Sequence, residues 1–138
     1  MEHRTAHHAA YSEASRYVTN TPAHVTFRFE NPVICKLICG DKVMGINADR
    51  PFHYLPGEIM FVGPGLDIHV GLQKAVPDAP IICDCVEIEA GRFERLVERL
   101  NDRGGPGRAP LSMQPRWDGY CTLPSEDAAQ LQFDTLMA

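Results

Sequence analysis

The sequence predicts a mainly β protein, an antiparallel barrel or sandwich followed by two α-helices. Short segments alternate apolar and polar residues with period two, and Gly and Pro separate these segments. Beyond residue 90 the apolar spacing changes to that of a helix. With 138 residues the chain has room for one domain with one core.

Charge and cysteine content restrict the possible partners and location. The net charge of -5 argues against contact between this chain and a nucleic-acid backbone, which requires clustered positive charge. The five cysteines are an odd number, and without the apolar stretch of an export signal they are expected to be reduced thiols. No apolar run reaches the roughly 18 residues that span a bilayer. We therefore expect a cytoplasmic location and no membrane contact.

The first strands are predicted from residue 24 onward. Residues 24–30 place Val25, Phe27 and Phe29 on one face, as in a half-buried strand. Residues 33–39 are apolar on both faces and should form a central strand. Gly40-Asp41-Lys42 then supplies turn residues, which predicts an antiparallel hairpin with the segment that contains Met44 and Ile46.

The later strands surround two turns. Leu55-Pro56-Gly57-Glu58 has the Pro and Gly of a type II turn, between strands at residues 52–54 and 59–62. After Gly63-Pro64-Gly65, residues 66–72 alternate cleanly, and residues 81–89 form an extended segment with mixed faces. A bulge or burial on both sides would explain that mixture.

Two helices are predicted after the strands. The first has its apolar stripe at helical spacing and Gly104 as its cap, and the second begins near Ser125. Between them, residues 104–124 are rich in Gly, Pro and Arg, include Trp117 and are predicted to be irregular. The stripe of the first helix comprises Phe93, Leu96, Val97 and Leu100, and that of the second Ala129, Phe133, Leu136 and Met137. The second stripe has little left in the domain to cover it, which favours a partner helix.

The predicted organisation is one domain in three parts. Residues 1–22 show little periodicity and are predicted to be an N-terminal arm. Residues 23–89 form the barrel, and residues 90–138 form the helical segment, whose last helix is expected to be cut short by the end of the chain.

Four cysteines could meet in the interior if their strands are neighbours. Cys35, Cys39, Cys83 and Cys85 would then resemble a thiolate metal cluster or a redox sensor. The competing interpretation, which the sequence favours, treats them as small buried apolar residues. Aromatic and Met residues in the strands similarly permit either a ligand pocket or a plain core.

No catalytic or metal-binding residue is predicted. His53 and His69 are isolated, and no His-x-His pair with a following Glu lies in the strands. No Ser or Cys has the Gly-containing motif of a nucleophile elbow. The sequence therefore predicts neither catalysis nor a cofactor.

Several segments together resemble the N-terminal regulatory domain of AraC-family transcriptional regulators. The resemblance runs over roughly residues 22–138. Its carriers are Asn31-Pro32-Val33-Ile34-Cys35-Lys36 through Gly40-Asp41-Lys42, Tyr54-Leu55-Pro56-Gly57-Glu58 within residues 52–65, and the helix at Phe93. It implies a cupin-like β-barrel or jelly roll that accepts a small effector, helices that form a homodimer, and a C-terminal helix-turn-helix half that contacts DNA.

The resemblance also implies site residues and leaves alternatives open. The helix-turn-helix half is missing from these 138 residues, so the chain is expected to be an excised N-terminal domain, and the metal-binding histidines of cupins are absent. A small stand-alone cupin-type enzyme or metal-binding protein is the main alternative, and a domain that senses a partner protein is another. The implied dimer contacts are Ala129, Phe133, Leu136 and Met137. The implied pocket residues are Phe27, Phe29, Leu37, Phe52, Tyr54, Met60, Ile68 and Val70.

Overall fold

The computed structural model describes residues 2–102, 119–123 and 127–138, and it confirms the predicted mainly β, antiparallel fold with two helices after the first nine strands. The elements in chain order are β1 (Glu2–Ala9), β2 (Ser12–Thr19), β3 (Ala23–Phe27), β4 (Val33–Cys39), β5 (Lys42–Ile46), β6 (Phe52–Tyr54), β7 (Ile59–Val62), β8 (Ile68–Leu72), β9 (Ile81–Ile88), α1 (Ala90–Asp102), β10 (Tyr120–Leu123) and α2 (Asp127–Met137).

The strands form two sheets that face each other. One sheet has the order β1-β2-β9-β4-β7-β10 and the other the order β3-β8-β5-β6. Every pairing between these strands is antiparallel. The side chains that point between the sheets form the main core, with Val33 and Leu37 of β4 fully buried. Burial of this apolar surface is the main force that holds the two sheets together.

The turn at Leu55-Pro56-Gly57-Glu58 has the predicted type II character. Gly57 has φ of +85°, a value that a residue with a Cβ rarely adopts. The Glu58 N–H donates to the Leu55 carbonyl oxygen at 3.1 Å, which closes the turn. The Glu58 carboxylate in turn accepts from the Leu55 N–H at 2.8 Å.

Residues 2–19 form two strands and join the larger sheet, whereas the sequence predicted an N-terminal arm separate from the barrel. β1 and β2 make a hairpin, and β2 pairs with β9 along its whole length, from Ser12 opposite Ile88 to Thr19 opposite Ile81. β1 is an edge strand whose described side chains are mostly exposed. An edge strand exposed on both faces needs no apolar alternation, which explains the missing sequence signal.

β4 is central as predicted, but its expected hairpin with β5 is wrong. β4 pairs with β9 and β7, whereas β5 pairs with β8 and β6 in the other sheet. The chain crosses between the sheets at Gly40, which has φ of +97°. The register of β4 against β9 also shifts between Leu37 and Cys39, at the place where the strand leaves its sheet.

Two helices follow the strands, as predicted, and one further strand lies between them. α1 begins at Ala90, and its Phe93 ring stacks on Phe61 at a centroid distance of 5.6 Å. Residues 120–123, predicted to be irregular, form β10, which pairs with β7. Gly104, Trp117 and Ser125 lie outside the described residues, and so do the side chains of Leu100 and Ala129.

Candidate functional site: the cavity between the sheets

A small cavity lies between the two sheets. Its volume is about 40 Å³. Most of the lining side chains are apolar, and Lys42 is the charged side chain among them. The lining residues are Tyr17, Thr19, Phe27, Phe29, Cys35, Lys42, Met44, Tyr54, Met60, Ile68, Val70, Leu72, Ile81, Cys83 and Cys85. An apolar concave site with few polar groups is typical of small-molecule binding.

Aromatic rings form one partly exposed wall of this cavity. The Tyr17 and Phe27 rings meet edge to face with centroids 6.0 Å apart, and Phe29 stacks on Phe27 at 6.3 Å. Arg4 covers the Tyr17 ring, with its guanidinium carbon 5.6 Å from the centroid and its Nε donating to the Tyr17 hydroxyl at 3.1 Å. Burial raises the pKa of Tyr17. Because these rings are half-buried, a ligand could enter by displacing them.

Tyr54 is fixed at the buried side of the cavity. Its hydroxyl lies 2.8 Å from the Cys35 carbonyl oxygen and 2.9 Å from the Glu58 carbonyl oxygen. Only 1% of its surface is exposed, and burial raises its pKa, so the hydroxyl remains a neutral donor. This contact connects β6 to β4 and to the type II turn.

Three thiols converge on the cavity, and we call Cys35, Cys83 and Cys85 the thiol cluster. Cys35 and Cys85 are directly opposite each other on β4 and β9, and their Sγ atoms are 3.0 Å apart. Cys83 Sγ lies 3.9 Å from Cys85 Sγ. The fourth predicted member, Cys39, is separate, because its Sγ contacts the Pro80 carbonyl oxygen at 3.4 Å.

Hydrogen bonds between the thiols shift the pKa values of Cys83 and Cys85 in opposite directions, and Lys42 lies in the same cavity lining. Hydrogen bonds from Cys35 and Cys85 lower the pKa of Cys83, and the positive charge of Lys42 lowers it further. Hydrogen bonds with Cys35 and Cys83 raise the pKa of Cys85, and burial adds to the rise. The first proton of the cluster is therefore lost more readily than the next. Lys42 was not predicted as a site residue, since its sequence context indicates only a turn.

The structure brings most of the predicted pocket residues together. Leu37 is fully buried in the core but does not line the cavity, and Phe52 stacks on Tyr120 at 5.7 Å instead. Leu72 also lines the cavity, although it was not predicted to. It continues the alternation of Ile68 and Val70 along β8, so the sequence pattern already indicated that it faces inward. The predicted residues that do line the cavity are Phe27, Phe29, Tyr54, Met60, Ile68 and Val70.

The predicted dimer stripe on α2 is divided between two faces. Phe133 is 5% exposed and packs with Ile59 and Val86 on the outer face of the larger sheet, and Met137 packs against the same cluster. The expectation that this domain leaves the stripe uncovered is therefore wrong for Phe133. The reason is that β7 and β9 present apolar side chains outward as well as inward. Leu136 is exposed, as is Leu131.

A row of charges lies beneath α2 on the same outer sheet face. Arg16, Asp84 and Lys36 sit opposite one another on β2, β9 and β4. The Arg16 guanidinium donates two hydrogen bonds of 2.7 Å to the buried Asp84 carboxylate, which raises the pKa of Arg16. Lys36 Nζ, almost fully buried, donates to Asp134 of α2 at 2.6 Å. This ion pair attaches α2 to the sheet.

Metal ligands are not assembled in the described part of the chain. Within residues 2–102, 119–123 and 127–138, no group of three or more His, Cys, Asp or Glu side chains could hold a metal ion. His53 pairs with Asp41 at 3.2 Å, and His69 pairs with Thr26 at 3.2 Å. The thiols of Cys35 and Cys85 are closer than the roughly 3.8 Å between two ligands of tetrahedral zinc with Zn–S bonds of about 2.3 Å.

None of the helices in the described ranges is long and apolar enough to span a bilayer.

Comparison with solved structures supports the fold. A cupin superfamily protein from Desulfitobacterium hafniense matches with a TM-score of 0.55 and 9% identity, over 64% of this chain and 78% of that one. An RmlC-like cupin with a double-stranded β-helix fold from Methanocaldococcus jannaschii matches with a TM-score of 0.56 and 10% identity, over 69% and 86%. The DMSP lyase DddQ from Ruegeria pomeroyi matches with a TM-score of 0.53 and 10% identity, over 63% and 46%. At these identities the likeness establishes the fold.

Comparison with sequences identifies the family. No curated protein sequence matches the chain. The family model that describes the AraC-type transcriptional regulator N-terminus matches residues 13–126, which is most of the chain. The match includes β2 from its second residue, β3 to β10, the cavity and the thiol cluster. The chain therefore belongs to the family of N-terminal domains of AraC-type transcriptional regulators.

Proposed function

We propose that this domain binds a small-molecule effector in the cavity between its sheets and dimerises in the cytoplasm, without catalysing a reaction. DNA would be contacted by a helix-turn-helix segment outside these 138 residues. The observation that carries the proposal is an apolar cavity between the sheets of a chain that belongs to a regulator family. The net charge of -5 supports the proposal that this domain itself does not contact DNA, because the DNA backbone is also negatively charged.

The size of the cavity indicates how an effector would act. A volume of about 40 Å³ has room for roughly three water molecules, at the 10–15 Å³ that each needs. A larger effector must move the lining side chains. Met44 and Met60 are unbranched and adapt readily, and Phe27 and Phe29 are half-buried and can turn outward. Binding would therefore change the packing of the sheet interior.

β7 offers a short route from the cavity to α2. Met60 lines the cavity on one face of this strand, and the adjacent Ile59 packs against Phe133 on the other. β9 has the same arrangement, with Cys85 inside and Val86 outside. An effector that repacks the inner face would shift the population of α2 positions, because the two faces belong to the same strands. The exposed Leu131 and Leu136 of α2 would then present the dimer contact differently.

Small apolar probes test whether the cavity binds ligands. We expect toluene, indole or benzoate to give saturation-transfer NMR signals with the parent domain. Val70→Phe should abolish these signals, because Val70 is 2% exposed and lines the cavity, so the larger ring fills the space. Val43→Phe is the matched control, since Val43 lies on β5 of the same sheet but is 38% exposed. Leu72→Phe is a second filling variant if Val70→Phe does not fold.

Two results would contradict effector binding. One is the absence of signal from all three probes with the folded parent domain, which would favour the alternative of a partner protein. The other is equal signal with the parent and with a folded cavity-filling variant, which would place the probes elsewhere on the surface.

A further inference from the structure

The thiol cluster has the geometry of a cross-strand disulfide pair. Cys35 and Cys85 occupy opposite positions of the antiparallel β4–β9 ladder. Opposite residues in such a ladder have Cα atoms about 4.5–5.5 Å apart, within the 4.4–6.8 Å range of disulfides. The two Sγ atoms are 3.0 Å apart, so a bond of about 2.05 Å needs an approach of roughly 1 Å.

The surroundings favour reaction with a very small oxidant. The sulfur atoms line a cavity of about 40 Å³, which has room for hydrogen peroxide, a molecule of two oxygen atoms. Lys42 is the charged side chain in the described lining, and its ammonium group stabilises a thiolate. A thiolate beside a cation with access to a small cavity is the reactive form of cysteine.

We propose that the thiol cluster is a peroxide-responsive modification site in which Cys35 and Cys85 form a reversible disulfide. A thiolate sulfur attacks one peroxide oxygen, so that an S–O bond forms, the O–O bond breaks and hydroxide leaves. A second thiol of the cluster attacks that sulfur, the S–S bond forms, and the oxygen leaves as water after protonation. Two thiols are oxidised and one peroxide is reduced to two waters.

Cys83 has a distinct part in this reaction. Its Sγ lies 3.9 Å from Cys85 Sγ and Lys42 lies in the same cavity lining, so a Cys83 thiolate can accept the oxygen and then form a disulfide with Cys85. Thiol–disulfide exchange within the cluster moves the bond to the Cys35–Cys85 pair, whose opposite positions suit it best. This site is independent of effector binding, since the oxidant and the thiols suffice.

Peptide mapping tests the proposal on the whole 138-residue chain. The folded protein is treated with a small molar excess of hydrogen peroxide, and the remaining thiols are alkylated after denaturation. We expect two fewer alkylated cysteines, a Cys35–Cys85 cross-linked peptide, and full recovery of both thiols with dithiothreitol. Absence of this peptide from folded, oxidised protein would overturn the proposal, and so would its formation only in denaturant.

Matched variants test the roles of individual residues. Cys85→Ala should abolish the cross-link, whereas Cys39→Ala, which lies on β4 outside the cluster, should retain it. Lys42→Met should slow the loss of thiols severalfold, because the thiolate loses the neighbouring positive charge that stabilises it. Lys74→Met is its control, because Lys74 is exposed and pairs with Asp41. Equal rates for the two lysine variants would contradict the role of Lys42.

Failure of this test and failure of effector binding are distinguishable. Probe binding is measured on reduced protein, and disulfide formation is measured without any probe. If probes bind and no disulfide forms, the cavity is a ligand site whose cysteines are structural.

Discussion

Gly40 is the residue at which the backbone passes from one sheet to the other. Its φ of +97° lies in the region that residues with a Cβ rarely adopt. A Cβ added there would lie 2.7 Å from Ile81 Cγ1 and 3.0 Å from Ile81 Cα, closer than such atoms approach. Gly40 thus permits both the sharp turn after β4 and the close approach of β9.

Gly40→Ala is predicted to lower the free energy of unfolding by roughly 2–4 kcal/mol. About 1 kcal/mol or more comes from the positive φ, and a further 1–3 kcal/mol comes from the clash with Ile81. Gly65→Ala is the matched control, since Gly65 has φ of +76° with no atom within 4 Å of an added Cβ. We expect Gly65→Ala to lower the free energy of unfolding by only about 1 kcal/mol. Urea denaturation measures both, and equal losses would contradict the argument from contact with Ile81.

At the scale of single elements, α2 has an inner and an outer face. Phe133 packs with Ile59 and Val86, and the nearby ion pair of Lys36 with Asp134 adds a polar attachment. Leu131 and Leu136 point away from the sheet, and they are 70% and 69% exposed. Among the α2 side chains that the structure describes, Phe133, Met137 and the Asp134 ion pair attach the helix to the sheet.

Phe133→Ala is predicted to release α2 from the sheet. Removing this buried ring should lower the free energy that holds α2 on the sheet by about 3 kcal/mol. Leu136→Ala should change the free energy of unfolding by less than about 0.5 kcal/mol, because Leu136 is exposed. Hydrogen exchange of the α2 amides measures the effect, and we expect much faster exchange in Phe133→Ala than in the parent. Unchanged exchange in Phe133→Ala, or equal acceleration in Leu136→Ala, would show that Phe133 does not anchor the helix.

At the scale of the whole molecule, the domain has a cavity inside and an exposed apolar pair outside. Burial of Leu131 and Leu136 in a second copy of the chain would remove them from water, which is the basis for expecting a homodimer. Phe133 already packs against the sheet of its own domain, so it is not available to a second copy. The proposed dimer contact therefore includes fewer residues than the stripe predicted from the sequence.

The double variant Leu131→Glu/Leu136→Glu is predicted to convert a dimer into a monomer, because it would bury four carboxylates at the interface. Gln132→Glu is the control, since Gln132 is an exposed residue on the same helix. Analytical ultracentrifugation over a range of concentrations measures the mass. A monomeric parent domain would contradict the dimer proposal, and so would a double variant that remains dimeric.

Local sequence determined the strands with one buried face, the type II turn at Gly57 and the helical stripe around Phe93. These features depend on a residue and its near neighbours, so periodicity and turn chemistry suffice to predict them. The family was also predicted correctly from short segments, since Asn31-Pro32-Val33 and the run from Tyr54 to Glu58 carry the resemblance.

Only the tertiary structure decided which elements are neighbours. The pairing of β2 with β9, the separation of β4 from β5, the meeting of Cys35 with Cys85 and the burial of Phe133 all join distant parts of the chain. A sequence pattern says which face of a strand is apolar, but it does not say which strand lies beside it, because pairing is set by the packing of the whole core.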